Sequence, residues 1–96
     1  MKANHTIKKL MNETKKFIKR HPECFKNEIL KKELVVKIND IIRFSENSYH
    51  SAQAPLKDYK TIDHTKIDEE KLKSTWEEIR LKIVALPDDN KFGKEY

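Results

Sequence analysis

Apolar residues along this chain recur in three runs with helical spacing. The longest runs from Pro22 to Phe44. At about 100° per residue it places Cys24, Leu30, Leu34, Val35, Ile38, Ile41 and Ile42 on one broad face. Pro22 suits a first helical position, and Glu23 beside it suits the positive end of the helix dipole. Phe25, Ile29 and Val36 make a second, narrower stripe, set apart from the first by charged and amide residues. Two stripes predict contacts on two sides. Either this is a central helix between two others, or one side packs into the core and the other meets a partner. A break near Asn27 is the remaining alternative. The segment LVVKI has strand-forming residues, but the helical period extends well past a strand's usual length. Tyr49 and Ala52 continue the main stripe, so the helix is predicted over about 22–50, ending before Pro55.

The flanking runs are simpler. Ile7, Leu10, Met11, Thr14, Phe17 and Ile18 share one face and predict a helix over about 4–20, with Asn4 or Thr6 as its N-cap and Pro22 as its stop. Leu72, Trp76, Ile79, Ile83 and Leu86 step by four and three, a narrow seam that predicts a helix over about 68–86. Asp68 is its expected N-cap, with Ile67 and Leu72 forming a hydrophobic staple. Trp76 reads as a core anchor, while Leu81 and Val84 lie off the seam. Between the last two helices, about 51–67 reads as a loop. Within it Leu56, Tyr59 and Ile62 are spaced three apart, which leaves open a short fourth helix at 55–62 or a lid pinned onto the bundle. The tail, 87–96, is expected to be loose, with Phe92 and Tyr96 available to dock. The fold class is therefore all-α: one domain over 1–96, a small antiparallel three-helix bundle with an optional short fourth helix.

Composition narrows this picture. At 36% hydrophobic and 39% charged, the chain is polar for a globular domain, but its apolar residues are clustered periodically rather than diluted as in a disordered chain. A single Gly and three Pro argue against an all-β fold, which needs many tight turns. The lone cysteine excludes an internal disulfide and fits a reducing compartment. Neither a membrane-spanning apolar run nor a signal-peptide core is present, so the expected location is cytoplasmic. The net charge of +5 is spread unevenly. Lys8, Lys9, Lys15, Lys16, Lys19 and Arg20 crowd the first helix, opposite its apolar stripe, against Glu13 alone. Such a face is either solvated surface or a docking site for an acidic protein or nucleic acid.

Candidate chemistry is sparse. His21 and Cys24 have metal-ligand spacing, but a second close pair of ligands is missing, so no metal and no cofactor is expected. No Ser/His/Asp set, phosphate loop or paired catalytic carboxylates emerges. Arg43 and His50 stand in RFSENSYH. This pair resembles the arginine-then-histidine motif of HEPN ribonucleases, a family of helical bundles. There the two residues act together on RNA, commonly at a dimer interface. The resemblance covers two residues, with a longer spacing than the common form, and implies a ribonuclease using Arg43 and His50.

The leading expectation is a non-enzymatic protein-binding module, a regulator, inhibitor or immunity-type protein that occludes a partner with an acidic surface. The residues expected to make contact are Lys8, Lys9, Lys15, Lys16, Lys19 and Arg20 on the basic face, Phe25, Ile29 and Val36 on the narrow stripe, and Tyr49 in the segment 45–64, which the pattern leaves open between helix and loop. A small basic nucleic-acid-binding protein is the first alternative and the HEPN-like nuclease the second. No membrane contact is expected, and the chain would act as a monomer or a homodimer.

Overall fold

The structure, a computed structural model, describes residues 3–50 and 52–87. Among these it is an all-α bundle of three helices: α1 (Ala3–Arg20), α2 (Glu28–Ser48) and α3 (Glu69–Val84). No helix among the described residues is long and apolar enough to cross a membrane. Tyr96 and Phe92 lie outside the described residues.

The Pro22 run is not one helix. Pro22–Phe25 forms a 3-10 turn, and α2 starts afresh at Glu28. The cause is local. Asn27 adopts an extended backbone, and its side-chain oxygen accepts from the amides of Ile29 and Leu30 at 3.0 and 3.1 Å. That side chain satisfies amides left without partners at a new helix start. The break rotates Cys24 and Phe25 inward. Cys24 is fully buried and Phe25 is only 8% exposed, so together they close one end of the core against all three helices. Phe25 therefore does not belong to an exposed stripe with Ile29 and Val36. The far end of α2 stops at Ser48, with Tyr49 extended.

The central helix is α1, not α2. The helix α1 packs closely against both α2 and α3. Its own face of Ile7, Met11, Thr14 and Phe17 is buried, and the Thr14 hydroxyl is satisfied by donating to the Leu10 carbonyl at 2.9 Å. Both neighbours run antiparallel to α1, because its first turn meets the far end of each. Asn4 accepts from the Tyr49 hydroxyl at 2.6 Å and donates to the Pro87 carbonyl at 2.9 Å. The Asn4 side chain is thus spent on tying ends together rather than on capping α1, which already includes it.

Helices α2 and α3 consequently run parallel to each other, and the chain must return along the bundle to join them. The segment 52–67 makes that return as a strap of turns; no fourth helix forms at 55–62. Leu56 is buried, and Tyr59 and Ile62 pack partly against the core. Polar ties fix the strap in place. The Leu56 amide donates to the Ser45 hydroxyl at 3.2 Å. Asn39 grips Ile62 twice, donating to its carbonyl at 3.0 Å and accepting from its amide at 2.7 Å. On the other side the Tyr59 hydroxyl donates to Glu78 of α3 at 2.7 Å. The helix then restarts at Asp68, whose carboxylate accepts from the Lys71 amide at 2.8 Å. Leu72, Trp76, Ile79 and Ile83 of α3 complete the core.

Candidate functional site

With the apolar stripe of α1 turned into the core, its charged residues must face outward. Lys9, Lys15, Lys16, Lys19 and Arg20 are all exposed, and Lys8 is half-buried. Among the described residues Lys9, Lys15, Lys16, Lys19 and Arg20 form no ion pair. The other helices balance their charges: α2 sets Lys31, Lys32, Lys37 and Arg43 against Glu28, Glu33, Asp40 and Glu46, and α3 sets Lys71, Lys73, Arg80 and Lys82 against Glu69, Glu70, Glu77 and Glu78. Arg43 pairs with Asp40 at 3.9 Å, Lys73 with Glu69 at 3.0 Å, and Arg80 with Glu77 through both carboxylate oxygens. Glu77 is held below the usual carboxylate range by that guanidinium hydrogen bond. The net positive charge of the helices is therefore concentrated on α1, whose six Lys and Arg residues stand against Glu13 alone.

The basic face is not flat. Where α1 meets α3, Asn12, Lys15, Lys16, Ile18, Lys19, Trp76 and Arg80 enclose an open groove of about 530 Å³. Ile18 and the small exposed part of Trp76 are its apolar surfaces, and the lysines and Arg80 are its charged ones. The groove continues in both directions. Toward the start of α1 it shares Asn12 and Lys16 with a depression lined by His5, Lys8, Lys9 and Glu13. Toward the 3-10 turn it shares Ile18 and Trp76 with one lined by Phe25, Glu70, Lys73, Ser74 and Glu77. Arg20 lines none of these three depressions.

The other expected contact residues are dispersed. Ile29 is 78% exposed and Val36 51% exposed on α2. They border a shallow depression of about 400 Å³ with Phe17, Lys32, Glu33, Lys37 and Asp40, where charges of both signs alternate. Phe25 lies in the core, 8% exposed. Tyr49 is half-buried at the end of α2, bonded to Asn4. The pattern of the sequence located the lysines of α1 but not Asn12, Ile18, Trp76 and Arg80 as their neighbours. By periodicity Ile18 and Trp76 belong to core stripes, and only the packing of α1 on α3 brings them together at the surface.

Arg43 is exposed and turned toward Asp40, while His50 lies beyond the end of α2. The helix that would have aligned the pair two turns apart stops before it reaches His50. Among the described residues, no group of three or more His, Cys, Asp or Glu side chains is placed to hold a metal ion. His21 sits 3.8 Å from Glu23, and Cys24 is a buried thiol pushed up in pKa by its burial. A raised pKa and a buried sulfur both make for an unreactive thiol. The Tyr59 hydroxyl is pushed up to about 12 by burial and then by its bond to Glu78, which makes it a structural tie.

No protein-family model, curated protein or solved structure matches this chain.

Proposed function

We propose that this chain is a non-enzymatic protein-binding module that covers an acidic surface of a partner protein with the outward face of α1. The observation that carries the reading is the one-sided charge of α1, six Lys and Arg residues against Glu13 alone, of which Lys9, Lys15, Lys16, Lys19 and Arg20 are exposed and without ion pairs among the described residues. Unpaired exposed cations gain little from folding and are free to pair with an incoming surface, where complementary charge speeds encounter and sets register. The chain would act as an inhibitor or regulator by occlusion, in the cytoplasm, where its single cysteine stays reduced.

Nucleic acid would draw on the same cations. Two features favour protein. The groove beside the lysines has apolar surfaces, Ile18 and Trp76, which a phosphate backbone would not use. Trp76 is also only 6% exposed, too little to offer a ring face on which a base could stack.

The test is a pull-down of the tagged chain from its native lysate, with half of the sample treated with nuclease and both halves analysed by mass spectrometry. The expected result is the same protein in both halves, retained at ~0.5 M salt only where apolar contacts back up the screened charges. Recovery that collapses with nuclease would overturn the reading and make α1 a nucleic-acid surface.

A further inference from the structure

The groove between α1 and α3 carries more information than its charge. We propose that it receives an acidic amphipathic helix of the partner protein, with one large apolar side chain seated on Ile18 and Trp76 and carboxylates over Lys15, Lys16 and Lys19. This rests on the protein-binding reading above and names the chemistry of its partner.

Four observations point to this occupant. First, Ile18 and Trp76 lie together at the centre of a continuous surface, with a depression leading away on either side. An apolar anchor at the centre with a polar rim is the arrangement that concentrates binding energy in protein interfaces. Second, the rim on the α1 side consists of Lys15, Lys16 and Lys19, none of which has an ion-pair partner among the described residues. Acidic residues are the complement of that rim. Third, the opposite wall is already ordered. Arg80 is clamped by Glu77 through two hydrogen bonds, so a guanidinium stands at the groove without further loss of side-chain freedom. Fourth, both walls are helices and no strand is present among the described residues, so no edge is available for an added β-strand. Helix-in-groove docking, read through residues at i, i+3, i+4 and i+7, is a recognition mode that two helical walls support. From His5 to Lys19 the α1 side extends about 21 Å, which matches a ligand helix of about fourteen residues.

The groove also has polarity. Its far end carries Glu70 and Glu77 beside Lys73, whereas its near end carries His5, Lys8, Lys9 and Lys16 with Glu13. An occupant with its acids gathered toward one end would dock in a single direction.

The experiment is a selection from a random peptide display library on the full chain. Enriched peptides are then synthesised without tryptophan and titrated while both peptide anisotropy and tryptophan emission are followed. Trp76 is the chain's one tryptophan, so its emission reports contact at the groove itself. The expected peptides carry a large apolar residue with Asp or Glu within four positions of it, and they shift Trp76 emission on binding. Binding falls about tenfold or more in Lys16→Glu/Lys19→Glu, and by a similar factor when the peptide's acids are replaced by amides. Enriched peptides without an acidic excess, peptides that bind without moving Trp76 emission, or a selection that enriches nothing would each overturn the proposal. Such a failure beside a nuclease-resistant partner in the pull-down removes the groove occupant and leaves the binding reading standing. A nuclease-sensitive pull-down removes both.

Discussion

Asn39 shows what one buried amide does in this molecule. It is 8% exposed, and it uses a donor and an acceptor on the backbone of a single residue, Ile62. Truncating it leaves two backbone groups of the strap without partners in a half-buried setting. A typical hydrogen bond is worth about 1 kcal/mol net, so Asn39→Ala is expected to cost about 2 kcal/mol in urea unfolding. Asn39→Asp keeps the shape but loses the donor to the Ile62 carbonyl, so it too is expected to destabilise. An unchanged midpoint in both variants would show that the strap does not depend on this tie. Nothing local in the sequence marked Asn39 for this role; among charged neighbours it read as a spacer between two apolar stripes, because its partner is 23 residues away. Tyr59 gives a second residue-level test. Its folded pKa is raised to about 12 against an ordinary value of 10.0. A group whose folded pKa is raised favours the protonated fold. Its contribution is therefore complete below about pH 10 and is lost as pH climbs toward about 12. Tyr59→Phe lacks this titration, so the stability gap between wild type and variant is expected to close over that interval in unfolding measured from pH 9 to 12.

At the scale of elements, the break at Asn27 decides which apolar residues are core. The periodic face of Leu34, Val35, Ile38, Ile41 and Ile42 was legible because one uninterrupted helix carries all of it, and all five are buried. The same rule failed upstream, where Phe25 was projected along a helix that does not yet exist. Proline followed by an acid is an equally good start for a long helix or for one short turn, and the deciding feature is the Asn27 side chain reaching its own following amides. Paired substitutions separate the two former stripe members. Phe25→Ala empties part of the core and is expected to cost about 3 kcal/mol. Ile29→Ser alters a side chain that is 78% exposed and is expected to stay within about 0.5 kcal/mol. Equal costs in chemical denaturation would mean that the 3-10 turn does not close the core. Asn27→Ala removes the cap and is expected to cost about 1 kcal/mol.

At the scale of the whole molecule, structure and surface divide the chain between them. Three helices and their inward faces followed from periodicity, whereas the order of packing did not. The helix richest in apolar residues, α2, looked central, yet α1 sits between its neighbours and the strap fills the space that parallel α2 and α3 leave. The groove at Ile18 and Trp76 arises from that packing, so no single segment could announce it. Its lysines, by contrast, were legible because a helix that buries one face must expose the other. Separating stability from binding is then a matter of charge alone. Lys15→Glu/Lys16→Glu removes two charges at each position and takes the formal net charge from +5 to about +1. The two sites are exposed and make no ion pair among the described residues. The fold loses only the favourable placement of cations toward the end of α1, worth a few tenths of a kcal/mol each, and gains relief from mutual repulsion. Thermal unfolding is therefore expected to stay within about 1 kcal/mol of wild type, while recovery of the partner in the pull-down falls about tenfold or more. A variant that melts normally and still retrieves the partner in full would show that the cations of α1 are solvated surface and that binding, if it occurs, uses another face.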